Sequence, residues 1–80
     1  MSIDISIEGS NSCDPLNIAN GNFYHLMDDL ALSDLIDLGR VTVSTMVIAL
    51  EDSKHTRYTN RLLDMCDIAR AEGRMFLEFS

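Results

Sequence analysis

Eighty residues, 46% of them apolar and 24% charged, describe one small folded domain over 1–80 rather than a disordered segment. A chain of this length buries only roughly 60–65% of the surface its unfolded form exposes, so its core is small. The net charge of −7 argues against direct contact with nucleic acid or an anionic membrane, both of which need clustered cations.

The N-terminus, Met1 to Ser6, has neither the basic nor the long apolar stretch of a signal peptide. The longest apolar run, Met46 to Leu50, is far too short to span a bilayer. Cys13 and Cys66 form neither a Cys-x-x-Cys pair nor a disulfide framework. They read as two thiols in a reducing cytoplasm, which is the expected compartment. Five methionines suit an adaptable core or an adaptable binding surface.

Ser2 to Glu8 alternates, with Ile3, Ile5 and Ile7 on one side and Asp4, Ser6 and Glu8 on the other, which predicts a half-buried strand. Gly9 to Pro15 is turn chemistry throughout. Leu16 to Gly21 reads as an asparagine-rich turn, with Asn17 and Asn20 folding it through local side-chain-to-backbone bonds. The Asn20-Gly21 pair is also a hairpin dipeptide. The helical spacing of Phe23, Leu26, Met27 and Leu30 favours instead a helix over 22–32 capped by Asn22.

Ser33 and Asp34 restart a helical signal that Gly39 stops. Val41 to Leu50 is rich in β-branched residues, yet Val43, Met46, Val47 and Leu50 share one helical face, so a helix capped by Thr42 or Ser44 is predicted. His55 to Glu72 is the clearest helix. Thr56 can cap it, and Tyr58, Leu62, Met65 and Ala69 form a stripe widened by Cys66 and Ile68. Arg61 and Asp64 make an i, i+3 pair on its outer face. Gly73 is a natural residue to end it. Arg74 to Phe79 reads as a strand with Met75, Leu77 and Phe79 on one side. The expected fold is therefore a small α+β domain, β-α-(α)-α-α-β, whose terminal strands pair into a small sheet covered by helices.

No P-loop, dinucleotide fingerprint or nucleophile elbow is present. His25 lies three and four residues from Asp28 and Asp29, and Glu51 lies four before His55. Two such pairs do not make a metal or catalytic site, so no cofactor, metal or catalytic residue is expected. A small metal-binding or catalytic protein using His25 and His55 is the alternative.

The charge is unevenly spread. Residues 1–39 hold Asp4, Glu8, Asp14, Asp28, Asp29, Asp34 and Asp37 with no Lys or Arg, while residues 40–80 are neutral. Such a surface suits solubility, and it also suits a protein partner with a basic surface. Spaced carboxylates can stand in for backbone phosphates before a nucleic-acid-handling protein. Asp28, Asp29, Asp34 and Asp37 are the expected contact residues, with Tyr24 as an aromatic anchor. A homo-oligomer, in its simplest form a homodimer, is a further alternative, because two strands alone are marginal.

The segment from Leu16 to Phe23, with its Asn-x-x-Asn-x-Asn pattern, the helix end Leu30-Ala31-Leu32 and the stretch from Leu62 to Arg74 resemble small uncharacterised bacterial proteins. The compact, acidic, motif-free profile is also similar to phage-encoded inhibitors of host defence. The resemblance implies a bacterial, cytoplasmic α+β domain and carries no activity.

Overall fold

The computed structural model describes residues 1–54 and 57–80. His55 and Thr56, and with them the predicted cap of the third helix, lie outside the described residues. Strands β1 (Ser2–Ile7) and β2 (Leu16–Ala19) lead into helix α1 (Asn20–Asp29) and a short 3-10 turn (Ser33–Leu35). Strand β3 (Arg40–Thr42), helix α2 (Val43–Asp52), helix α3 (Thr59–Ala71) and strand β4 (Phe76–Phe79) follow. The four strands form one antiparallel sheet in the order β2-β1-β4-β3. The protein is thus a small α+β domain, with three α-helices on a four-stranded sheet among the described residues.

The alternation in β1 sets the layers. Ile5 pairs with Leu16 on one side and Phe79 on the other, and Ile7 faces Leu77, which in turn faces Val41. Opposed residues in antiparallel strands share a face, so these rows form one apolar surface. The helices cover it with Phe23, Leu26 and Met27 from α1, Val43, Met46 and Leu50 from α2, and Leu62, Met65, Cys66 and Ala69 from α3. Three of the five methionines, Met27, Met46 and Met65, are wholly buried here, filling the irregular gaps of a small core. The terminal strands pair directly, as expected, and do so antiparallel.

Several local expectations are corrected. Leu16 to Ala19 is a strand, not a turn. Leu16 and Ile18 alternate with Asn17 and Ala19, and pairing with β1 satisfies the backbone. Asn17 accordingly spends its amide across the sheet, donating to Ser2 Oγ at 2.9 Å and Asp4 Oδ1 at 2.7 Å. Helix α1 starts at Asn20, so Asn22 lies inside it, and Ala19 at the N-cap offers no side-chain acceptor.

The window 41–50 divides into β3 and α2. Thr42 does cap α2, its Oγ1 accepting the Thr45 N–H at 3.1 Å. The preceding residues extend because β4 offers an edge: Phe79 N–H donates to the Gly39 carbonyl and Val43 N–H to that of Met75, both at 2.8 Å. Helix α3 is also shorter than predicted. Arg61 on it donates to the Asp14 carbonyl at 2.9 Å, so it anchors the loop before β2 rather than serving Asp64. Met75 is 70% exposed instead of inward, because it precedes β4 in the exit from α3, where the two-residue alternation does not yet apply.

Two helices end in the same left-handed closure. After α3, Gly73 N–H bonds the Arg70 carbonyl and Arg74 N–H that of Ala69, with Gly73 at φ +71°. After α1 the equivalent bonds run from Ala31 to Asp28 and from Leu32 to Met27, but the left-handed residue is Ala31, at φ +57°. A Cβ in that region costs about 1–2 kcal/mol, partly offset by the wider freedom glycine has when unfolded. Ala31 is exposed, so Ala31→Gly loses no packing. The substitution is expected to raise stability by about 0.5–1 kcal/mol. A urea midpoint equal to or below wild type would contradict the strain assigned to Ala31.

Candidate functional site

The outward face of the sheet is polar and largely self-paired. Besides the Asn17 bonds, Ser6 Oγ donates to Glu78 at 3.4 Å. Arg40 reaches Glu8 at 3.4 Å and stacks on the Phe76 ring at 4.0 Å. At half-exposed positions such an ion pair contributes little. Glu72, at the end of α3, accepts from the Ser10 and Ser12 hydroxyls, and these bonds hold its carboxyl below the usual range. They pin the loop after β1 to α3. Asp4 and Glu8 therefore have structural partners within the fold.

Two of the remaining carboxylates of the acidic half stand at the C-terminal end of α1. Asp28 and Asp29 occupy its last turn, which has no basic residue, and Glu51 and Asp52 occupy the last turn of α2, which also has none. A helix C-terminus carries roughly half a negative charge, so acidic residues there are unfavourable by about 0.3–1 kcal/mol each. The two helix ends lie side by side, with Ser53 Oγ at 3.5 Å from the Asp29 carbonyl oxygen. Two negative dipole ends thus meet at one corner of the molecule, where Asp29 and Asp52 line a shared hollow with Lys54 beside them.

Between these ends runs an open groove of about 500 Å³. Leu30, Leu32 and Ala49 form its apolar floor, Ile48 stands beside it 61% exposed, and Asp29 and Asp52 flank it. Leu30 and Leu32 reach it because the turn at Ala31 folds the chain back over Met27. A second apolar hollow, with Leu35 and the 69% exposed Leu38, shares Thr45 with the first. An apolar floor beside a strongly negative end can hold an apolar side chain and a cation together.

Of the residues expected from sequence, Asp29 lines the groove and Asp28 adjoins it in the same helical turn. Tyr24 is 55% exposed one turn earlier on α1. Asp34 and Asp37 are exposed on and after the 3-10 turn and do not line the groove. Sequence reasoning missed Ile48, Glu51 and Asp52. The signal was available, since acidic pairs at the carboxyl ends of two helices run against the dipole. His25 is exposed on α1. Among the described residues no three His, Cys, Asp or Glu side chains come together as metal ligands, and His55 lies outside them. No helix among the described residues is long and apolar enough to cross a membrane.

In comparisons with known proteins, no family model, no curated protein and no solved structure matches this chain.

Proposed function

We propose that this protein is a non-enzymatic, cytoplasmic interaction module that meets a basic surface of another protein, with inhibition of a nucleic-acid-handling protein as its role. The observation that carries this reading is the acidic corner where α1 and α2 end. There Asp28, Asp29, Glu51 and Asp52 stand at positions that cost helix stability. Residues that run against a local rule point to sites shaped by something other than folding. The apolar floor of the groove they flank supplies the anchoring that charge alone lacks. A partner that handles nucleic acid already presents cations spaced for phosphates, and carboxylates on this corner engage the same cations. The incentive to oligomerise is weaker than a two-stranded sheet would give, because four strands and three helices close the core within one chain.

The test is charge reversal at Asp28, Asp29, Asp34 and Asp37. Each Asp→Lys change adds two charges, so the quadruple variant moves from −7 to +1. All four side chains are exposed, and circular dichroism is expected to show a retained fold. Partners recovered from a lysate of the native host by wild type are expected to be lost. Affinity for the purified partner should fall at least a hundredfold, about 2.7 kcal/mol. Nucleic acid should compete with wild type for the partner, and the interaction should weaken with salt. Equal binding by the folded quadruple variant would overturn the proposal.

A further inference from the structure

Resting on that reading, we propose that the groove between α1 and α2 is the docking site for a short amphipathic segment of the partner, one that carries an apolar anchor next to Lys or Arg. The anchor seats over Leu30, Leu32 and Ile48, and the cation lies at Asp52 and the adjoining helix ends.

Three observations select this occupant. The groove volume of about 500 Å³ accommodates a few side chains rather than a whole domain face. Its floor is aliphatic, and Ile48, 61% exposed at its margin, extends that apolar surface outward. Its negative end combines the carboxylates of Asp29 and Asp52 with the carbonyl ends of two helices and outweighs the charge of Lys54 beside them, a potential that favours a cation by position as well as by charge. The same charge disfavours a second copy of this chain. Two copies meeting through this groove would bring Asp29 and Asp52 of one against those of the other. Lys54 stands beside Asp29 and Asp52 but offsets only one of the carboxylates at these helix ends.

The experiment uses phage-displayed random 12-residue peptides panned on the whole wild-type protein. Enriched peptides are then synthesised, and their binding is followed by amide chemical shifts. The expected result is a consensus of one or two apolar residues within four positions of Lys or Arg, with shifts concentrated at 29–32 and 48–52. Ile48→Asp and Asp52→Lys, both at exposed positions, should each weaken those peptides at least tenfold while the amide spectrum shows the fold retained. Asp37→Lys should change affinity less than twofold.

Peptides that bind instead around Tyr24, Asp34 and Asp37, with charge reversal there abolishing binding, overturn the groove as the docking site and leave the acidic-surface reading standing. Enriched peptides without cations, or no enrichment on any face, overturn both. Self-association of wild type by light scattering, abolished by Ile48→Asp, assigns the groove to a second copy and overturns the proposed occupant.

Discussion

Phe23→Ala is expected to leave the protein largely unfolded at 25 °C. Phe23 is 1% exposed and joins α1 to the sheet, its ring meeting Phe79 edge-on at 5.3 Å and Tyr24 at 5.8 Å. Removing a buried phenylalanine costs about 3–5 kcal/mol in lost burial and residual cavity, and the ring–ring contacts add about 0.5–1.5 kcal/mol. Domains are stable by about 5–15 kcal/mol in total, with small ones near the bottom of that range. The single change therefore removes most of what holds the fold. At a slope of about 1 kcal/mol per molar urea, the midpoint should drop by at least about 3 M, or the folded baseline should vanish. Tyr24→Ala is the matched control. Tyr24 is 55% exposed, and its loss should cost no more than about 1 kcal/mol. A Phe23→Ala protein with a near-native midpoint would show that α1 is not held to β4 through this ring.

The second large effect is a loss of stability at alkaline pH traceable to Cys66. Its side chain is wholly inaccessible, and burial pushes the thiol from its ordinary value of 9.0 up to about 11, with Arg70 pulling the other way and Asp67 adding to the rise. Below pH 9 the thiol is protonated in both folded and unfolded chains and its contribution is constant. Between pH 9 and 11 the unfolded chain releases the proton while the folded chain holds it. Stability therefore falls as pH rises, by about 2 kcal/mol at pH 10.5. Urea midpoints of wild type and Cys66→Ala should run parallel up to pH 9 and converge above it, since only wild type carries this loss. Parallel curves through pH 10.5 would mean that the thiol ionises in the folded state without penalty. Burial also predicts that a thiol-alkylating reagent at pH 7.5 modifies the partly exposed Cys13 in native protein and reaches Cys66 only in urea.

The elements legible from sequence are those whose residues report burial through their own periodicity. Ile3, Ile5 and Ile7 alternate over enough residues to define β1. Leu62, Met65, Cys66 and Ala69 recur at the helical period in α3, and Val43, Met46 and Leu50 do so in α2. Thr42 and Gly73 mark helix ends through chemistry confined to a few neighbouring residues. The short strands β2 and β3 were not legible, because three or four residues hold too little of a period to be distinguished from a turn or a helix end. Their extended backbone is stabilised by hydrogen bonds to β1 and β4, which lie elsewhere in the chain. The Asn20-Gly21 pair shows the same override, since a strong hairpin dipeptide opens a helix once Phe23, Leu26 and Met27 are drawn onto the sheet.

The candidate site divides along the same line. The sequence by itself determined that the first half of the chain is acidic without cations, and that Asp28 and Asp29 follow an amphipathic helix. Only the tertiary structure decided that Asp52, 23 residues beyond Asp29, shares a groove with it, and that Ile48 stands exposed beside Leu30 and Leu32. Charge content and helix periodicity are properties of neighbouring residues. The meeting of two helix ends depends on how the chain crosses the sheet between them, through a left-handed turn at Ala31 and a three-residue strand whose positions are set by distant partners.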